Sequence, residues 1–134
     1  MTIDFETIMP QILNLAEKNS EIDALYLYGS HAKGNAHEHS DIDLAVIFST
    51  YEKNPLQRRL RPEVLAIDWM IELGLPEDKL SVLDMESTNI PLTMAVLQTG
   101  KLLLNKDPGH EMMVTGKIMS QWEIDYLYHY DQFG

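Results

Sequence analysis

Seven consecutive residues, Ile42-Asp43-Leu44-Ala45-Val46-Ile47-Phe48, constrain the fold more than any other feature of the chain. Side chains alternate across a strand. Ile42, Leu44, Val46 and Phe48 therefore make one face wholly apolar, and Ala45 and Ile47 continue the other beyond Asp43. A strand apolar on both faces belongs inside a sheet layered with helices.

The flanking sequence supplies those layers. Ile8, Ile12 and Leu15 fall at helical spacing and predict a first helix to about Lys18, with Pro10 tolerated only in its first turn. Ala24 to Tyr28 reads as a strand ended by Gly29. A polar stretch from Ser49 to Arg61 precedes a helix expected to begin at Pro62, carrying Val64, Ile67 and Ile71 on one face and stopping at Gly74. Lys79 to Leu83 is a third short strand leading into Asp84. A helix over about Pro91 to Thr99 and a short strand from Lys101 to Leu104 follow. A closing helix runs from about 110 to 130, with Met119 and Trp122 expected in the core. With 134 residues the chain is read as one domain, 1–134, of the α/β (α+β) class.

Composition narrows the function. Ten Lys plus Arg against 21 Asp plus Glu give a formal net charge of −11, which disfavours direct binding to nucleic acid and suits a basic partner. No run reaches the roughly 18–20 apolar residues that span a bilayer. Cysteine is absent and the first six residues lack the basic and apolar regions of a signal peptide, so a cytoplasmic location is expected.

The residues that carry chemistry are Gly29-Ser30 and, after ten more, Asp41-Ile42-Asp43. A strand-to-helix junction leaves backbone N–H groups free to bind phosphate, and glycine lets the backbone come close. The Ser30 hydroxyl adds a donor. Asp41 and Asp43, two apart at the start of a strand, face one side and repel unless a cation lies between them. Oxygen ligands of this kind suit Mg²⁺ or Mn²⁺.

The pattern Gly29-Ser30-x10-Asp41-x-Asp43 resembles the signature of nucleotidyltransferases of the DNA polymerase β superfamily. The short chain is similar to the minimal nucleotidyltransferase (MNT) group, and in particular to the antitoxins encoded beside HEPN-domain toxins. The likeness is specific in the motif, holds for the order of elements to about Asn105 and is looser in the closing helix. It implies a polymerase β-like fold with a small mixed sheet, ATP bound with Mg²⁺ through Asp41 and Asp43, and transfer of AMP to a tyrosine hydroxyl of the toxin. It also implies an assembly with that toxin, expected to be basic and adjacently encoded.

The resemblance calls for a third carboxylate on a neighbouring strand, acting as metal ligand or general base, and Asp84 is the matching position. Read alone, Asp84 is equally a cap or turn residue, and Glu86 competes with the same parity. Lys33 stands where related proteins often carry arginine and is a candidate phosphate contact, without arginine's planar bidentate geometry. Arg58, Arg59 and Arg61 are expected on a solvated face, and His31, His37 and His39 in a polar loop with no zinc-like spacing. Tyr126, Tyr128 and Tyr130 are open to either core or interface. Two alternatives stand beside the adenylyltransferase antitoxin: neutralisation by binding alone, and nucleotide transfer to a small molecule such as an aminoglycoside.

Overall fold

The computed structural model describes residues 4–37 and 40–133, with side chains through Tyr126; His39 lies outside the described residues, as do the side chains of Tyr128 and Tyr130. The elements are α1 (Phe5–Lys18), β1 (Ile22–Tyr28), α2 (Ser30–Lys33), β2 (Ile42–Phe48), α3 (Pro55–Leu73), β3 (Leu80–Asp84), α4 (Ile90–Thr99), β4 (Lys101–Asn105) and α5 (Pro108–Phe133). They form a mixed four-stranded sheet in the order β3-β2-β1-β4. β1 runs antiparallel to β2 and β4, and β2 runs parallel to β3.

The sheet is covered on both sides, as the composition of β2 requires. One face buries Leu25, Leu27, Leu44, Val46 and Phe48 against Ile12 and Ala16 of α1 and Leu65 and Trp69 of α3. The other buries Tyr26, Ala45 and Ile47 against Val96 of α4 and Val114 and Ile118 of α5. Each fully buried aliphatic or aromatic side chain contributes about 1.5–3 kcal/mol by leaving water. No described helix is long and apolar enough to cross a membrane.

Three helices differ from the sequence expectation. Pro10 is the sixth residue of α1 and not in its first turn. Glu6 and Pro10 are both exposed, so the carbonyl that loses its bond remains open to water. Helix α3 begins at Pro55, seven residues before Pro62: Asn54 caps it by accepting from the Gln57 N–H at 3.0 Å, and Pro55 takes the first turn. Its buried face is Pro62, Leu65, Ala66 and Trp69, while Val64, Ile67 and Ile71 point to solvent. In α5 the anchors are Val114 and Ile118; Met119 is 48% exposed, and Trp122 is half-buried, stacked on Tyr126 at 6.0 Å.

A polar network seats the start of α5. Asp107 accepts the His110 backbone N–H at 3.1 Å, and His110 lies 2.7 Å from Asp23 and 3.5 Å from Glu86. Tyr26 donates to Glu111 at 2.6 Å beside it.

Candidate active site

The first strand pair brings the motif together. Tyr28, the last residue of β1, sits opposite Asp43 of β2, and the chain then turns at Gly29. Gly29 adopts φ +73° and ψ −155°, a region that side chains exclude. A Cβ added there would lie 2.3 Å from Asp43 Oδ2. The main chain of Gly29 and the Asp43 carboxylate are thus in direct contact, and only glycine permits it. Helix α2 starts at once; its first N–H groups, at Ser30 and His31, are ones a helix cannot bond internally. With four residues it has little macrodipole, so its polarity at this end is that of these local N–H groups. Lys33 follows one turn later and is exposed.

Asp41 is exposed and Asp43 half-buried. Burial and then the charge of Asp41 hold the Asp43 carboxyl above its ordinary pKa; His31 and a hydrogen bond from Ser81 pull it partly back. The Tyr28 hydroxyl is pushed up by burial and by Asp43, and it too shares a hydrogen bond with Ser81. Two adjacent carboxylates form a donor set suited to a hard divalent cation.

The loop before β2 is tied at one point. The Ser40 carbonyl accepts from Lys79 Nζ at 2.5 Å and lies 3.5 Å from His31 Nε2, and the Ser40 hydroxyl accepts from the His37 N–H at 2.9 Å. His31 is itself stacked on Phe5, ring centroids 4.1 Å apart. The Ile42 N–H donates to the Lys79 carbonyl at 2.9 Å. Asp41 and Asp43 therefore leave a fixed piece of backbone.

Asp84 does not join them. The parallel register aligns Asp43 with Ser81, and Asp84 with Val46 at the other end of the pairing. Three residues along a strand is about 10 Å, and the odd step turns the side chain to the opposite face. Buried there, Asp84 accepts the Glu86 N–H at 2.9 Å and lies 3.9 Å from Arg61. Glu86 belongs to the His110 network. The residue beside Asp43 on the neighbouring strand is Ser81, which sequence reasoning passed over along with Ser40, Lys79 and Tyr28. Parity along Lys79–Leu83 would have singled out Ser81 had the β2–β3 register been known.

The arginine cluster also departs from a solvated face. Arg58 donates to the Glu52 carbonyl at 3.1 Å, and Arg61 donates to the Thr50 carbonyl at 2.8 Å while lying 3.9 Å over the Phe48 ring. Both fasten the loop between β2 and α3.

The family model described as polymerase beta, nucleotidyltransferase matches residues 10–109. The chain belongs to the polymerase β nucleotidyltransferase family. Those hundred residues, counted as 109 − 10 + 1, contain every strand and the whole motif. No curated protein matches the sequence. Among solved structures, this nucleotidyltransferase is similar to a chain of a toxin–antitoxin with AMP-PNP, at 21% identity and TM-score 0.69, covering 96% of this chain and 94% of that one. A second is a chain of a complex of tri-AMPylated Shewanella oneidensis HEPN toxin with MNT antitoxin, at 19% identity and TM-score 0.67, covering 94% and 92%. A third is a chain of the toxin–antitoxin MntA–HepT, at 20% identity and TM-score 0.66, covering 94% and 93%. At these identities the likeness establishes a shared fold.

Proposed function

We propose that this nucleotidyltransferase is an antitoxin that transfers AMP from ATP to a tyrosine hydroxyl of a HEPN-domain toxin. The observation that carries the reading is the contact between the Gly29 main chain and the Asp43 carboxylate, beside Asp41. It makes phosphate cradle and carboxylate pair a single surface. The similar chains come from toxin–antitoxin assemblies, one with AMP-PNP and one with an AMPylated HEPN toxin, which supports both the nucleotide and the partner.

In this reading the free N–H groups at Ser30 and His31 and the Ser30 hydroxyl bind the triphosphate, and Lys33 reaches its outer oxygens. Mg²⁺ or Mn²⁺ held by Asp41 and Asp43 supplies charge neutralisation and alignment of the phosphates. The tyrosine oxygen of the toxin attacks the α-phosphorus. The bond from that phosphorus to the bridging oxygen of the β-phosphate breaks, pyrophosphate leaves, and the hydroxyl proton passes to solvent. Ser81, not a third carboxylate, stands beside Asp43, so the chain's own part is to position and neutralise rather than to abstract that proton. The substrate being a protein, the acidic surface serves to attract a cationic toxin in the cytoplasm.

The test is transfer of α-³²P label from ATP, with Mg²⁺, to the HEPN-domain protein encoded beside this chain. Wild type labels it and Asp41→Ala/Asp43→Ala does not. A double variant that still neutralises the toxin without label would replace catalysis with occlusion.

A further inference from the structure

Helix α3 is apolar on two opposite sides. Its inner side is packed on the sheet through Pro62, Leu65, Ala66 and Trp69. Its outer side carries Leu56, Leu60, Val64, Ile67 and Ile71, at intervals of four, four, three and four, and these are 40–76% exposed. At 100° per residue they fall within one stripe, about 22 Å long from Leu56 to Ile71. Single exposed apolar residues are ordinary on a protein surface; an unbroken stripe of five marks an interaction site.

Charge decides what covers it. Glu63 flanks the stripe on one side and Asp68 on the other, with Glu72 further round, and all three are exposed. A hollow of about 330 Å³ beside Leu60 and Val64 is lined by Glu21, Glu52 and Asp68 as well. Of the three arginines, Arg58 and Arg61 donate to loop carbonyls, leaving Arg59 outward. A second copy fits this rim badly: a two-fold axis at Val64 would oppose Glu63 to Glu63 between two chains of net charge −11. An anionic bilayer would be repelled by the same carboxylates.

We propose that the outer stripe of α3 docks an amphipathic helix of a cationic partner protein, its apolar ridge on Leu60, Val64, Ile67 and Ile71 and its Lys or Arg side chains on Glu63, Asp68 and Glu72. The inference deepens the functional reading above and rests on it for the partner's identity, the HEPN toxin. α3 covers the sheet face opposite the Asp43 carboxylate, and what it shares with the motif is one end of the sheet. α3 ends at Gly74, and the chain re-enters the sheet at Leu80, aligned with Ile42 between the two motif aspartates. A helix laid along α3 thus leads to the end of the sheet that holds Asp41 and Asp43.

The test uses the purified chain with the adjacently encoded HEPN-domain protein, measuring affinity by calorimetry and, separately, label transfer at saturating partner. Ile67→Asp/Ile71→Asp is expected to weaken binding at least about thirtyfold, and Asp68→Lys/Glu72→Lys about tenfold. Both sites are exposed, so circular dichroism and labelling at saturation should stay as in wild type. Wild-type affinity should fall as salt rises. If wild type binds and labels while both variants bind equally well, the docking face is wrong and the enzyme reading stands. If wild type neither binds nor labels the HEPN protein, the functional reading fails and takes the docking face with it. A wild-type homodimer dissolved by Ile67→Asp would assign the stripe to a second copy and overturn the proposal.

Discussion

Replacing Gly29 with alanine separates two effects that structure keeps apart. The new Cβ would lie 2.3 Å from Asp43 Oδ2, about 1.1 Å short of the 3.4 Å at which ordinary contact begins. Either the carboxylate or the backbone must give by that amount. The backbone also loses, because alanine at φ +73° costs on the order of 1–3 kcal/mol. Displacing a group at the reacting centre by about 1 Å lowers a rate on the order of a hundredfold. Gly29→Ala should therefore reduce initial label transfer by about two orders of magnitude, beyond any loss of folded protein. Gly34→Ala is the control: φ is +77° there too, but nothing lies within 4 Å of its Cβ. It should lose about 1–2 kcal/mol of stability, read as a lower thermal midpoint, and keep its transfer rate. Transfer by Gly29→Ala within about threefold of wild type, or an equal fall in Gly34→Ala, would refute the idea that Gly29 is there to admit the carboxylate.

Other predictions follow from the same geometry. The raised pKa of Asp43 means that its ionised form is disfavoured in the metal-free fold, so stability is lost as pH rises from its ordinary value of 3.8 through the raised one. Asp43→Asn should melt higher than wild type near neutral pH, with the difference vanishing in acid and narrowing when Mg²⁺ is added; a difference independent of pH would contradict this. Asp84→Ala removes a buried partner of Arg61 and a turn acceptor, and should lower stability by about 2–4 kcal/mol while leaving transfer per folded molecule within a few-fold. Lost transfer at full stability would instead return Asp84 to the site. Ser81→Ala frees the Asp43 carboxylate and should raise the Mg²⁺ concentration for half-maximal transfer by about tenfold, as outer-shell substitutions at metal sites do, with Ser81→Thr restoring it.

Much of this site was legible because its signal is local. β2 announces itself by composition, Gly29 and the two aspartates by their position at strand ends, and the sheet's helix layers by the burial that β2 demands. That Ser81 and not Asp84 stands beside Asp43 was not legible, since it depends on how β3 slides against β2, and a parallel pairing through a long crossover leaves no mark of its register in either strand. α3 misled for a different reason. Periodicity reveals an apolar face but not whether that face looks inward, and α3 has two. The regular Val64-Ile67-Ile71 stripe was the outer one, while the core face mixes Leu65 and Trp69 with Pro62 and Ala66, whose small side chains make a weaker apolar stripe. The true start was nevertheless written in Asn54-Pro55, a cap followed by a first-turn proline.

The pairing that builds the site is also the shortest-range in the sheet. Tyr28 meets Asp43 across 15 residues of chain, counted as 43 − 28. Leu80 must cross 38 residues to meet Ile42, and Asn105 must cross 81 to meet Ala24. Loop-closure entropy grows with separation, so the β1–β2 hairpin is the first piece of sheet that a folding chain closes cheaply. Native-state hydrogen exchange should then show β1 and β2 opening together and last, after β4 and α5. The glycine and both aspartates ride on that early hairpin, so sequence change in the late-arriving edges can tune lifetime and association without redrawing the geometry of the motif.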